Sequence, residues 1–219
     1  MLKLIILILC GAAAGFGCAF AAEAWTKKLL RSRELEYTLT PKAEKLIAAA
    51  SAVLGGILGG LAESIPSLIC GLLLLIVCIV ISVTDWTHRI IPNPAVLAIF
   101  ALKLIFGIPD LLGAPGFPSF RIIQSLIGFA ACFILFSLPG LFGKNVGAGD
   151  IKLAAAMGFF LGIYGSLIAV IIMGLLVIVF AFAQRQVPFI SYFKSYIPMG
   201  PFIALGMLAA FAAARWLIL

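Results

Sequence analysis

Charged side chains and long polar stretches are scarce in this sequence. Only 8 acidic residues and 15 lysines and arginines occur among 219 residues. The longest polar stretch runs only from Lys27 to Lys45, so no soluble domain of ordinary size is expected. The five cysteines form no C-x-x-C pair, and His88 is the sole histidine. We therefore expect no metal site, no disulfide framework and no cofactor.

Apolar residues dominate instead. They make up 64% of the chain, the mean hydropathy is +1.27, and apolar runs of spanning length recur from end to end. A membrane helix needs about 20 such residues. The composition predicts an all-α polytopic membrane protein, a bundle of about eight transmembrane helices that forms a single membrane domain over residues 1–219.

The apolar runs predict helices over approximately residues 2–25, 43–62, 67–83, 94–109 and 120–138, and a last helix from Pro198 onward. The first run resembles a signal peptide, with Lys3 before an apolar core, but we interpret it as a transmembrane helix. Residues 150–184 are too long for one span. A tight turn at residues 162–165 would divide them into helices six and seven.

Glycines at four-residue spacing mark two helix faces for close packing. Gly11-x-x-x-Gly15 lies on the first predicted helix, and residues 55, 56, 59 and 60 of the second are all glycine. Small residues at this spacing let two membrane helices approach closely. The pattern predicts packing and carries no chemistry.

Basic residues are concentrated in short loops, which favours a topology signal over nucleic-acid binding. Residues 26–45 hold six of them and are predicted to be cytoplasmic. Residues 110–119 are then external and residues 185–198 cytoplasmic, and an even number of spans places both termini on the non-cytoplasmic side. Lys103, inside predicted helix four, should face a polar cleft or extend to the interface.

Two aspartates from distant parts of the chain reach one membrane face on this topology. Asp85 follows the third predicted helix, and Asp150 begins the sixth. A carboxylate near the bilayer centre costs on the order of 3 kcal/mol. Two carboxylates facing one cleft can share a proton and perform general acid and base catalysis on water. The alternative is that each aspartate caps a helix or meets interfacial lysines.

Glycines precede Asp150 in the stretch Gly147 to Leu153, which reads G-A-G-D-I-K-L. Gly147 and Gly149 leave the backbone free to adopt positive φ and to lie close to an extended substrate strand. A flexible interhelical loop would have the same composition, so a lone G-x-G-D is a weak motif.

Three motifs together resemble the type IV prepilin peptidases, a family of G-x-G-D membrane aspartyl proteases. Asp85 with Pro92 and Asn93 is similar to the family's D-x(6)-P-[DN], and residues 147–153 are similar to G-x-G-D-x-K-L. Residues 197–202 read I-P-M-G-P-F and resemble the family's I-P-F-G-P-[FA]. The order and separation of the motifs agree with the family, over approximately residue 67 to the carboxyl end.

The resemblance implies an aspartyl endopeptidase of the bacterial cytoplasmic membrane that removes the basic leader from type IV prepilins or pseudopilins, just after a glycine. These precursors and membrane lipids would be its partners, and Asp85 and Asp150 would be the catalytic pair. Lys152 would orient Asp150, hold a substrate carboxylate or simply extend to the interface. The residues implied to support the pair or bind substrate are Gly147, Gly149, Lys152, Pro92, Asn93, Pro198 and Gly200.

The first predicted loop departs from many family members. Those members carry two C-x-x-C pairs in this loop, which go with zinc binding. They also methylate the amino terminus that cleavage creates. The loop over residues 26–45 is short and contains no cysteine, which indicates a peptidase without methyltransferase activity. Two other classes are alternatives: a transporter or proton pathway that uses Asp85 and Asp150, and a non-catalytic assembly factor.

Overall fold

The protein is built from helices. A computed structural model describes residues 2–112, 121–141, 147–183 and 198–217, and these contain helices and no strand. The described helices are α1 (Leu2–Arg31), α2 (Pro41–Leu61), α3 (Ile65–His88), α4 (Asn93–Leu111), α5 (Ile122–Leu141), α6 (Ala148–Ala183) and α7 (Gly200–Leu217). The all-α prediction is confirmed. Most of the predicted loops at 110–119 and 185–198 lies outside the described residues.

Five of the described helices, α1, α2, α3, α5 and α6, are long and apolar enough to cross a membrane. The apolar parts of α4 and α7 are shorter, at Asn93–Pro109 and Gly200–Ala213. Many large apolar side chains on α1, α5 and α6 are exposed, among them Leu9, Ile123 and Val179. A chain with this many spanning helices and apolar outer faces is a multi-pass membrane protein.

The connection between the first two helices is shorter than the sequence predicted. Helix α1 continues to Arg31, beyond the predicted end near Trp25, and α2 begins at Pro41. The Thr40 side chain caps α2 by accepting a hydrogen bond from the N–H of Ala43 at 3.4 Å. Residues 27–31 are lysine, leucine and arginine, which are good helix formers. They therefore extend α1 instead of ending it.

The two glycine faces pack against each other; the sequence predicted close packing of each face but not its partner. A Cβ atom placed on Gly11 would overlap the carbonyl oxygen of Gly55, and one on Gly15 would overlap that of Ser51. On α2, a Cβ on Gly59 would meet the backbone of Leu7. Helices α1 and α2 therefore form a pair whose backbones are in direct contact.

Helix α3 runs through the centre of the bundle. Its side chains Leu74, Leu75, Val80 and Ile81 are at most 1% exposed. The thiol of Cys78 lies 3.5 Å from the carbonyl oxygen of Ala204 on α7. This packing fixes the position of the carboxyl end of α3 relative to the amino end of α7.

Helix α6 reverses direction at Gly162, whose φ of 71° and ψ of −179° are not helical. The ring centroid of Phe180, late in α6, lies 6.3 Å from that of Trp86, and Asp150, at the start of α6, lines the same cavity as Asp85, the residue before Trp86. In a straight helix residues 150 and 180 would be about 45 Å apart. The two halves of α6 therefore run antiparallel, with the turn within the predicted residues 162–165.

Candidate active site

Asp85 belongs to the last turn of α3, whereas the sequence placed it in a polar segment after that helix. The helix ends only at His88, because Arg89 adopts the left-handed conformation (φ 56°, ψ 37°). The N–H of Arg89 donates to the carbonyl oxygen of Asp85 at 3.0 Å. Pro92 disfavours the helical conformation only at the residue before it. The helix can therefore continue for one more turn after residue 83, where the sequence predicted its end.

The Asp85 carboxylate is fixed by α7. The residue is only 6% exposed, and its Oδ2 accepts a hydrogen bond of 2.8 Å from the backbone N–H of Gly200. A Cβ on Gly200 would lie 2.8 Å from both Cβ and Oδ2 of Asp85. Glycine is therefore required at residue 200 because any side chain there would collide with Asp85.

Asp150 lies in the first turn of α6 and is partly buried. Its backbone N–H donates to the carbonyl oxygen of Gly147 at 3.0 Å, which begins the helix. A carboxylate at this position is favoured by the helix dipole, as the capping interpretation of the sequence expected. The same placement points the residue toward Asp85.

The two carboxylates share one cavity of about 390 Å³. They are close enough for a direct Coulomb interaction, and Arg89 attracts the charge on Asp85. Two carboxylates in one cavity can bind a water molecule between them and exchange protons with it. The other residues lining the cavity are Arg33, Arg89, Ile90, Ile91, Asn93, Gly147, Ala148, Gly149 and Lys152.

The glycines of the G-x-G-D motif lie close to neighbouring side chains. Among the described glycines only Gly162 has positive φ, so Gly147 and Gly149 do not use the freedom for that conformation that glycine gives them. A Cβ on Gly147 would lie 2.9 Å from Oδ2 of Asp150, and one on Gly149 would lie 3.2 Å from Cβ of Ile91. Their missing side chains allow close contact, because the helix begins immediately after Gly147 and needs no left-handed residue.

Three cations line the cavity beside the two carboxylates. Lys152 is one turn into α6, and its side chain forms no ion pair with a carboxylate of the described residues. Arg89 and Arg33 are two site residues that the sequence analysis did not identify. The basic residues over 26–45 indicate only which side of the membrane the loop lies on, and nothing in their pattern singles out Arg33.

The loop that carries Arg33 is attached to the end of α3 by the single histidine. His88 Nε2–H donates to the carbonyl oxygen of Glu36 at 2.9 Å. Glu34 has positive φ (58°), which bends the chain immediately after Arg33. The described residues contain no group of three or more metal-ligating side chains. His88 thus holds a loop beside the cavity.

The remaining predicted residues divide into lining and supporting positions. Asn93 lines the cavity at the start of α4. Pro92 is buried, and its carbonyl oxygen accepts the N–H of Ala95 at 3.0 Å. Pro198 is buried ahead of α7 and does not line the cavity, and Ile197 lies outside the described residues. Lys103 is partly buried near Cys70 of α3, away from the cavity.

Residues 72–182 match the model of the type IV leader peptidase family. The matched segment includes both aspartates and the glycine motif and covers half of the chain. Residues 197–202 follow it. No curated protein and no solved structure matches the chain significantly.

Proposed function

Because this chain belongs to the type IV leader peptidase family, we infer that it is a membrane aspartyl endopeptidase. Its substrates are type IV prepilin or pseudopilin precursors, from which it removes the leader peptide. One observation carries the aspartyl mechanism: Asp85 and Asp150, 65 positions apart in sequence, line one cavity and interact electrostatically. No other pair of carboxylates in the described residues lines this cavity.

In the proposed reaction one carboxylate removes a proton from water while the other, protonated, donates a hydrogen bond to the scissile carbonyl. Asp85 is the better candidate for the ionised partner, since the Gly200 N–H and Arg89 stabilise its negative charge. The water oxygen bonds to the carbonyl carbon, and the proton held by Asp85 then passes to the leaving amide nitrogen. The C–N bond breaks, and the two products leave as an acid and an amine.

We place this reaction at the cytoplasmic face of the bacterial inner membrane. The topology that supports this has eight spans with both termini on the opposite side. The reversal of α6 at Gly162 and the basic connection between α1 and α2 agree with it. Since that connection is short and free of cysteine, the proposal includes peptidase activity without methylation of the product.

The proposal is tested by replacing each aspartate in the full chain, as Asp85→Asn and Asp150→Asn, and following leader removal from a co-expressed prepilin. Both variants should leave the precursor uncleaved, because an amide can neither accept nor share the proton. Glu34→Gln, on the exposed connection between α1 and α2, is the matched control and should process normally. Normal processing by either aspartate variant contradicts the catalytic pair. Proton uptake into liposomes that is lost in Asp150→Asn would instead favour the transporter alternative.

A further inference from the structure

A second cavity, of about 470 Å³, lies between α1, α2 and α3. It shares no lining residue with the cavity of the two aspartates. On α3 it is lined by Val83, which lies about 200° around the helix from Asp85. Its volume is within the range of small-molecule sites. The cavity is thus separate from the candidate active site.

Most of the second cavity is apolar. Its walls include Phe16 and Phe20 of α1, Ile47 of α2, and Ile79 and Val83 of α3. Both phenylalanines are about half exposed, so the cavity opens on the outside of the helix pair. An apolar chain that entered from the surrounding lipid would find hydrocarbon contacts here.

A buried hydroxyl without a partner lines this cavity. Thr26 is 1% exposed, and its Oγ1 has no hydrogen-bond partner among the described residues. Buried hydroxyls are nearly always hydrogen-bonded, and an exception calls for an unseen partner. Thr26 is one of the residues that line the cavity, so a polar group of a molecule bound there becomes its partner once the buried hydroxyl turns toward it.

Charges of both signs surround the same end of the cavity. Glu23, Glu44, Lys45 and Tyr37 line it, and Glu23 pairs with Lys27. The Lys27 ammonium also lies 4.8 Å from the centroid of the Tyr37 ring. Burial, followed by the nearby Glu23 and Glu44 carboxylates, raises the pKa of Tyr37 to about 12, so that its hydroxyl stays neutral. The rim therefore offers acidic, basic and neutral hydrogen-bonding groups.

We propose that this cavity binds one phospholipid whose zwitterionic headgroup carries a primary ammonium, as in phosphatidylethanolamine. The ammonium is held at Glu44, and the phosphate meets Lys45. The Thr26 hydroxyl bonds the ester region, while an acyl chain lies against the phenylalanines and α3. Charge complementarity selects this headgroup: Glu23 already pairs with Lys27, whereas Glu44 forms no ion pair among the described residues, and an anionic lipid would bring it no cation. The site goes beyond the proposed peptidase function and does not depend on it.

The test is lipid retention by the full-length protein. It is reconstituted in vesicles of equal parts phosphatidylethanolamine and phosphatidylglycerol, extracted in mild detergent and examined by native mass spectrometry. Wild type should retain one phosphatidylethanolamine at least fivefold over phosphatidylglycerol. Glu44→Gln, Thr26→Val and the cavity-filling Ala49→Phe should each lower that retention at least fivefold.

Matched controls separate the site from general effects on folding. Glu34→Gln removes an exposed carboxylate that does not line the cavity. Ser125→Ala removes a second buried hydroxyl without a partner, also elsewhere in the fold. Both should retain phosphatidylethanolamine as wild type does. Equal retention of the two lipids, or wild-type retention in both Glu44→Gln and Ala49→Phe, overturns the proposal.

A second measurement identifies the occupant directly. A photoreactive benzophenone amino acid in place of Ala49 should cross-link to phosphatidylethanolamine in the vesicles. A cross-link to a co-expressed prepilin substrate, in preference to lipid, would mean that the cavity receives a peptide and would overturn the assignment.

Discussion

The carboxylate of Asp85 and the backbone N–H of Gly200 are joined by a hydrogen bond of 2.8 Å across 115 positions of sequence. The bond connects the last turn of α3 to the first residue of α7. No side chain could replace the Gly200 hydrogen, because a Cβ would meet both Cβ and Oδ2 of Asp85 at 2.8 Å. The glycine therefore determines where the aspartate carboxylate lies.

Gly200→Ala should lower the turnover number of leader cleavage about 100-fold. The added methyl must displace the Asp85 side chain, and a displacement of about 1 Å at a catalytic group has an effect of this size. The substrate KM should change little, since Gly200 does not line the cavity. Steady-state cleavage of a prepilin by the purified variant measures both constants.

Gly17→Ala is the matched control for that variant. A Cβ on Gly17 meets no heavy atom within 4 Å, so its activity should equal that of wild type. If Gly200→Ala cleaves within twofold of wild type, the proposed positioning role of Gly200 is wrong.

Arg33→Gln and His88→Ala should raise the KM of leader cleavage by similar factors, about fivefold, with little change in turnover number. Arg33 lines the cavity, and the His88 bond to Glu36 holds its loop in place. Loss of one such interaction corresponds to about 1 kcal/mol. Because both changes act through Arg33, the double variant should be no worse than Arg33→Gln alone.

Two further variants control for the loss of a positive charge and for the loss of the imidazole ring. Arg31→Gln removes a nearby positive charge that does not line the cavity and should leave the KM unchanged. His88→Gln keeps an N–H donor and should recover part of the loss. Fully additive effects of the two single changes would contradict a shared route through Arg33.

Gly158→Ala should destabilise the protein without touching the two aspartates. A Cβ at this position would overlap the carbonyl oxygen of Gly128 on α5, so the two backbones must separate. Overpacking of this kind costs about 1–3 kcal/mol. Thermal unfolding of the purified protein should show a lower midpoint, whereas Gly140→Ala, with no atom within 4 Å of its new Cβ, should not lower it.

Patterns of apolar and small residues were enough to predict much of the helix arrangement. The limits of α2 and α5 fall within three residues of the prediction, because the apolar run itself decides where a spanning helix can lie. The glycine faces of α1 and α2 meet because only small residues allow that approach. The sequence also predicted that Asp85 and Asp150 reach one face, since the number of spans between them sets their side.

Features that depend on tertiary contact were not predicted. The polar residues among Asp85 to His88 predict a loop, yet these residues continue α3, whose last turn packs against α7 through Gly200. Arg33 lines the cavity on a loop whose Glu36 carbonyl accepts a hydrogen bond from a distant histidine. A backbone carbonyl is the same at every residue, so no sequence pattern marks such a contact.

Gly162→Ala tests the reversal of α6. At φ 71° and ψ −179° an alanine is strained by about 1–3 kcal/mol, although its Cβ would have room, with the nearest atom at 3.5 Å. The variant should therefore unfold at a lower temperature through backbone strain alone. Gly174→Ala, in the same element and with no atom within 4 Å of its new Cβ, should unfold at or above the wild-type temperature, because alanine favours helix over glycine. Equal midpoints for the two variants would show that residue 162 is helical and that the two ends of α6 do not meet beside Asp85.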